Sequence, residues 1–309
     1  MRILSIALNP TIDVSSDAAR IRPTHKIRTH NQRQEAGGGG VNVAKVIAEL
    51  GGNPELLILS GGVTGALLED SLAKLPIKID VVHGGEPTRI AFIVHEEETN
   101  LEYRFVPEGP LISPVEVEKA MALLGQFRGD YIIASGSLPL GAPEDTYARM
   151  AAIAAANGAQ FVLDTSGEPL KRALEHGGIF LVKPSIGELS TAAGHKLTAD
   201  TAGEAAMALI AKGCTQHVAV TLGADGALLA SASGIVRLPA ADVPVRSAVG
   251  AGDAFLGAFI WFLTQGESIA EAFRFGVAAG AAAVSTTGTE LCRKEDVFAI
   301  YSVSRQASE

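Results

Sequence analysis

The sequence predicts an α/β fold: a three-layer α/β/α sandwich on a mainly parallel sheet, plus a small accessory β-sheet. Three observations predict it. Short β-branched runs alternate with stretches rich in Ala, Leu, Glu and Lys, the pattern of a parallel sheet covered on both faces. Two late segments, 253–264 and 269–284, are apolar nearly all round, as central buried helices are. Two other segments, 18–34 and 88–106, break the rhythm and fit a small sheet projecting from the edge of the large one.

In chain order, strands are expected at 3–8, 55–59, 131–134, 161–163, 180–182 and 218–222. Helices are expected at 41–50, 114–127, 144–156 and 202–211, ahead of the two late ones. Segment 18–34 carries Arg20, Arg22, Lys26, Arg28 and Arg33 and no acidic residue, in a chain of net charge −9. Taken alone, it reads as a solvated face. Residues 88–106 read as a β-hairpin, with strands 89–94 and 101–106 around the polar turn 96–100. Together they make a candidate lid, drawn from about residues 10–36 and 86–107 of one domain spanning 1–309.

Composition narrows the function classes. Hydrophobic content of 47% against 19% charged residues demands a large core and excludes a disordered chain. The acidic balance argues against a nucleic-acid partner. The longest apolar run, 254–263, is ten residues, too short to span a bilayer, so no membrane partner is expected. Cys214 and Cys292 form no Cys-x-x-Cys and read as buried thiols. The opening strand lacks the pattern of a signal peptide, so a cytoplasmic location is expected. The histidines are scattered, with no zinc spacing among them.

The chemistry gathers at glycine-rich turns. Gly250-Ala251-Gly252-Asp253 runs straight into an apolar helix, whose free N–H groups suit an anion. Asp253 is awkward there, because its charge competes for the same helix end, unless the anion is a phosphate in transfer and Asp253 takes a proton nearby. A plain helix start with an acidic first-turn residue is the other reading. Gly37-Gly38-Gly39-Gly40 precedes a helix carrying Asn42, without dinucleotide or Walker A spacing. Asn9-Pro10-Thr11-Ile12-Asp13 ends the first strand, where Asp13 could accept from sugar hydroxyls or cap a turn. Ser137 lies in a backbone-approach turn that lacks a nucleophile elbow. Lys183 sits at a strand end with Glu188 one helical turn later, suited to phosphate and to magnesium through water. Thr221, Gly223 and Gly226 form another strand-end turn, suited to a nucleotide or simply a hairpin. This inventory matches phosphoryl transfer, which asks protein mainly for positioning and charge neutralisation.

From end to end, these motifs resemble the ribokinase-like (PfkB) carbohydrate kinases. The resemblance rests on Asn9-Pro10-Thr11-Ile12-Asp13, Gly37–Gly40 with Val41-Asn42-Val43-Ala44, Ser135-Gly136-Ser137-Leu138-Pro139, Val182-Lys183-Pro184 and Gly250-Ala251-Gly252-Asp253. Four glycines in the first loop resemble the minor bacterial 6-phosphofructokinase branch, where other branches usually carry Gly-Gly-Lys-Gly. The resemblance implies ATP-dependent phosphorylation of a ketohexose phosphate, fructose 6-phosphate first, with tagatose 6-phosphate and fructose 1-phosphate as rivals. It implies Asp253 as general base, and the turn Gly250, Ala251, Gly252 as anion hole. Asp13, Gly38, Gly39, Asn42 and Ser137 would bind the sugar, and Lys26, Arg89 and Arg104 its phosphate. Lys183, Glu188, Thr221, Gly223, Gly226 and Gly252 would serve ATP and Mg2+, with Glu188 reaching the metal through water. A homodimer through the lid sheet is implied as well.

Two positions depart from the family pattern. Ser185 stands where the family has asparagine ahead of Glu188, and a bridging water could replace the missing amide. Within 285–290, the acidic Glu290 stands where a basic residue is expected, near the adenine edge and any monovalent cation such as K+. The rival from another class is a non-catalytic sugar-phosphate sensor, with Ser185 as the mark of lost nucleotide chemistry. Asp253, Lys183 and Glu188 all remain, which favours the kinase.

Overall fold

A computed structural model of the chain describes residues 1–286, 288 and 290–306. The chain opens with β1 (Ile3–Ala7), β2 (Thr11–Ala18), β3 (His30–Gly37), α1 (Gly39–Glu49), β4 (Glu55–Gly61), α2 (Gly62–Leu72) and β5 (Lys78–Gly84). It continues through β6 (Arg89–Glu96), β7 (Leu101–Phe105), α3 (Pro114–Gln126), β8 (Tyr131–Ser135), α4 (Thr146–Ala156), β9 (Gln160–Asp164) and α5 (Gly167–His176). Then come β10 (Ile179–Val182), α6 (Ile186–Ala193), α7 (Ala202–Ala211), β11 (Thr215–Thr221), β12 (Ala227–Ser231) and β13 (Gly234–Leu238). Three helices close it: α8 (Ala251–Thr264), α9 (Ile269–Val284) and α10 (Lys294–Gln306).

The large sheet has nine strands in the order β13-β12-β11-β10-β9-β8-β1-β4-β5. The run from β11 to β5 is parallel, and β12 and β13 add an antiparallel edge. Its strands bury alternate residues on opposite faces. Ile132, Ala134, Phe161 and Leu163 pack under α3 to α7, whereas Ile133 and Val162 pack against α1, α8, α9 and α10. Leu68 and Leu72 of α2 lie beside α1 on the second face. The fold is therefore the expected three-layer α/β/α sandwich.

Why α8 sits at the centre follows from its neighbours. Every residue from Ala254 to Phe262 is buried. A Cβ on Gly257 would come 3.0 Å from the Val43 carbonyl oxygen of α1, and one on Gly276 of α9 would come 2.9 Å from the Phe255 carbonyl oxygen. Glycine at both contacts lets three helices pack almost backbone to backbone. Among the described residues, no helix is long and apolar enough to cross a membrane.

The small sheet has the order β3-β2-β6-β7, with β2 and β6 parallel and the outer pairs antiparallel. It is inserted after β1 and after β5. The hairpin forms over 89–105 as expected. Two details differ. The first strand ends at Ala7, and Pro10 breaks the chain, so Asp13 belongs to β2 of the small sheet and not to the end of β1. The basic run is not one strand: residues 19–29 are a loop, and only its end enters β3.

Candidate active site

Two helices begin at one place without a side-chain cap. Gly38 precedes α1 with φ 99°, and Gly250 precedes α8 with φ 71°, conformations that glycine adopts without strain. The first N–H groups of each helix lack intrahelical partners, so both ends present positive potential to the gap between them. The α1–α8 contact fixes the gap, and across it Asn42 Nδ2 donates to Asp253 Oδ2 at 2.8 Å.

The four-glycine run is required by packing as well as by any ligand. A Cβ on Gly37 would overlap the Asp13 carboxylate, one on Gly39 the Ser135 hydroxyl, and one on Gly40 the Ile6 carbonyl. A Cβ on Gly38 would come 3.0 Å from Pro10 Cα. The start of α1 is thus pressed onto β1, β2 and β8 together.

Beneath Asp253 lies a buried ion pair. Lys183, 5% exposed, places Nζ 3.0 Å from Asp164 Oδ1, and Ser135 Oγ donates to Asp164 Oδ2 at 3.4 Å. The amine also rests against the first turn of α8, 3.2 Å from where a Gly252 Cβ would be. Burial opposes the charge on Lys183, but Asp164, Asp253 and Glu188 outweigh it and hold its pKa above the ordinary lysine value. Burial also pushes the Asp253 carboxyl from 3.8 to about 7, with the Asp164 charge adding to the shift and Asn42 and Lys183 opposing it. Such a pKa suits a general base at neutral pH.

Asp13, 8% exposed, is likewise raised by burial, against the pull of Lys45, Arg104 and Arg89. Arg89 donates to the carbonyls of Pro107 and Asn9, each at 2.7 Å, and so ties the small sheet to the β1–β2 junction. Arg104 is exposed on β7, two register rows from Asp13 in the row of Ser15 and Ile93. Ser137 Oγ accepts from Asn9 Nδ2 at 3.1 Å. Lys26 lies on the exposed 19–29 loop, and no contact brings it to this cluster.

On the other side, Ser185 caps α6. Its Oγ accepts from the Glu188 N–H at 3.3 Å, and Glu188 Oε2 accepts from the Ser185 N–H at 2.7 Å. The serine thus performs a capping role that asparagine could also fill. Thr221 pairs with Ser185 across a β-bridge, which brings both strand ends together. Gly223 opens a short 3-10 turn, and Gly226 is demanded by packing, since a Cβ there would overlap the Leu238 carbonyl. Glu290 accepts from Arg293 at 2.6 Å, so the unexpected acid is matched by a base three residues on. Thr287 and Thr289 of the 285–290 segment lie outside the described residues. Among the described residues, no three His, Cys, Asp or Glu side chains gather as a metal site. Sequence reasoning passed over Asp164, although a carboxylate directly after strand 161–163 stands where parallel sheets hold ligands.

The Asp253 shift has a consequence for stability. A carboxyl whose folded pKa lies above its unfolded value binds its proton more tightly when folded, so stability falls as pH rises from 3.8 towards 7. The shift corresponds to about 4 kcal/mol, an upper bound because the carboxyl keeps partial access to water. Asp253→Asn should therefore be more stable than the parent protein at pH 7.5, with the difference shrinking towards pH 4. Urea unfolding at both pH values measures this, and a variant less stable at pH 7.5 would contradict it.

Comparison with known proteins places this geometry in a family. Residues 3–296 match the family model described as pfkB family carbohydrate kinase. The chain is 36% identical over 314 residues to ATP-dependent 6-phosphofructokinase isozyme 2 of Mycobacterium tuberculosis, covering 100% of this chain and 91% of that one. It is 32% identical over 313 residues to the 1-phosphofructokinase of Rhodobacter capsulatus, covering 97% and 96%. The solved structure of Escherichia coli phosphofructokinase-2 in complex with substrates and products superposes with a TM-score of 0.94 at 34% identity, covering 99% of this chain and 100% of that chain. Family match, near full-length relatives and shared fold agree: this chain belongs to the pfkB family of carbohydrate kinases.

Proposed function

We propose that this chain transfers the γ-phosphoryl group of ATP to a hydroxyl of fructose 6-phosphate, giving fructose 1,6-bisphosphate and ADP. The observation that carries this reading is Asp253 at the uncapped start of α8, bonded to Asn42 and backed by Lys183. The relatives named 6-phosphofructokinase and the four-glycine loop favour fructose 6-phosphate over the substrate of the 1-phosphofructokinases.

In this reading Asp253 takes the hydroxyl proton as the sugar oxygen bonds to the γ-phosphorus. The β–γ bridging P–O bond breaks, and its electrons leave with ADP. The N–H groups of Ala251, Gly252 and Asp253, opened by Gly250, stabilise the charge on the moving phosphoryl group. Asp13, Gly38, Gly39, Asn42 and Ser137 orient the sugar, and Arg104, Arg89 and Lys26 supply charge for its phosphate. Lys183, Ser185, Glu188, Thr221, Gly223 and Gly226 form the nucleotide side. Glu188 offers one carboxylate beside that side, which fits a magnesium ion held mainly by phosphate oxygens and water. Bound magnesium would neutralise charge on the β- and γ-phosphates. One E. coli phosphofructokinase-2 structure contains potassium, and on that ground a monovalent cation joins the proposed cofactors. An enzyme consuming ATP in this way works in the cytoplasm.

The small sheet also suggests how copies associate. Phe92 and Phe105 pair across β6 and β7 on the face opposite Asp13, at 50% and 59% exposed, with Leu101 and Val106 nearby. A homodimer through this face would bury them. Phe92→Asp should then sediment as a monomer; an unchanged assembly would contradict the interface.

Coupled ADP release across a panel of phosphosugars tests the reaction, and binding without turnover for every sugar would refute it. Asp253→Asn should lower kcat by about 10²–10⁴, leaving ATP binding intact. Because Asp253 must be ionised to accept a proton, kcat should fall as pH drops below about 7. Near-normal turnover in the variant would remove Asp253 from the base role. Arg104→Ala should raise KM for the sugar phosphate at least tenfold more than KM for ATP. An equal effect on both would place Arg104 elsewhere.

A further inference from the structure

The turn after β8 is held by two buried hydroxyls that no step of the reaction uses. Tyr147 of α4 is fully buried, and its hydroxyl donates to the Gly136 carbonyl at 2.8 Å. Thr165, 6% exposed and directly after β9, donates to the same carbonyl at 2.9 Å. Both lone pairs of one backbone oxygen are thus taken by side chains from two different elements. The Gly136 N–H is tied as well, donating to the Asp164 carbonyl at 2.9 Å. Burial, with the Asp164 charge adding, holds the Tyr147 pKa far above neutral pH, so the phenol stays a donor.

These bonds fix more than a carbonyl. A trans peptide is planar, and its C=O and N–H point in opposite directions. Drawing the Gly136 carbonyl towards α4 therefore turns the Ser137 N–H to the other side. Because α4 and α1 pack on opposite faces of the large sheet, that is the side where the uncapped start of α1 arrives. The two segments touch: a Cβ on Gly39 would come 3.0 Å from the Gly136 nitrogen, and one on Gly136 would come 3.7 Å from the Gly39 nitrogen. Ser137 is exposed, and its N–H has no acceptor among the described residues. At φ 111°, Gly136 adopts this turn without strain.

We propose that Tyr147 and Thr165 are positioning residues: by holding the Gly136 carbonyl, they aim the Ser137 N–H at an oxygen of the sugar phosphate. On the reading that places Ser137 beside the sugar, which this role presupposes, neither hydroxyl touches substrate itself. Without them the Gly136–Ser137 peptide loses its anchor, and the N–H its direction.

Steady-state kinetics with ATP and fructose 6-phosphate tests the role. Loss of one neutral hydrogen bond to the sugar corresponds to about a three- to tenfold rise in KM. Tyr147→Phe and Thr165→Val should each raise KM for fructose 6-phosphate, and the double variant by about that amount, while KM for ATP and kcat at saturation stay parental. Thr165→Ser, which keeps the hydroxyl, should retain the parental KM. Should the double variant fail to fold, the same split in Tyr147→Phe alone decides. A parental KM for the sugar in these variants would overturn the role. Equal rises in both KM values, or a Thr165→Ser variant that behaves as Thr165→Val does, would make the hydroxyls merely structural and overturn it too. A parent protein inactive on fructose 6-phosphate would overturn the reaction and the role together, an outcome distinct from an active parent with unaffected variants.

Discussion

The close approach of α1 and α8 is the constraint on which the rest of the site depends. Gly257 lies against the Val43 carbonyl, and this contact sets how near the two uncapped helix starts come. At that spacing Asn42 reaches Asp253 with a 2.8 Å hydrogen bond, and both helix ends aim at one gap. A larger residue at 257 would push α8 outward and open the Asn42–Asp253 pair. Packing of two apolar helices in the core thus fixes the position of a polar pair at the surface of that core.

Burial is the second element. A carboxylate buried near Asp164 is costly when ionised, even with Asn42 and Lys183 beside it, and the site tolerates Asp253 by keeping its pKa high. The Lys183–Asp164 pair works in the opposite sense, placing a positive charge permanently against the first turn of α8. Removing Asp164 would leave the buried Lys183 without its direct ion-pair partner, and stranding one half of such a pair is strongly destabilising. The arrangement is one in which local stability is given up for reactivity, as strained or buried functional groups commonly require.

Much of this was legible in the sequence, for identifiable reasons. Short β-branched runs and glycine-rich strand ends are local signals, so the large sheet and the turns at Gly37–Gly40 and Gly250–Asp253 could be read directly. Asp13 was misplaced because a new strand starts at Thr11, after Pro10, and pairs with β3 and β6, partners that the local sequence does not reveal. Asp164 was missed because its role arises only when β9 and β10 lie side by side and bring Lys183 to it. Helices α2, α5, α6 and α10 escaped: α2 has almost no apolar period and α6 is only eight residues long, whereas α5 carries a clear apolar face and was legible but overlooked. Ser185 shows a different limit: its departure from the family pattern was visible, but its capping bond to Glu188 appears only with the backbone in place.

The fold is expected to give one carboxyl, Asp253, the basicity to take a proton near neutral pH. Difference infrared titration of the parent protein against Asp253→Asn measures that carboxyl directly. A carboxyl band, absent from the variant, should ionise near pH 7. A band that ionises near pH 4, the range of an ordinary aspartate, would contradict it.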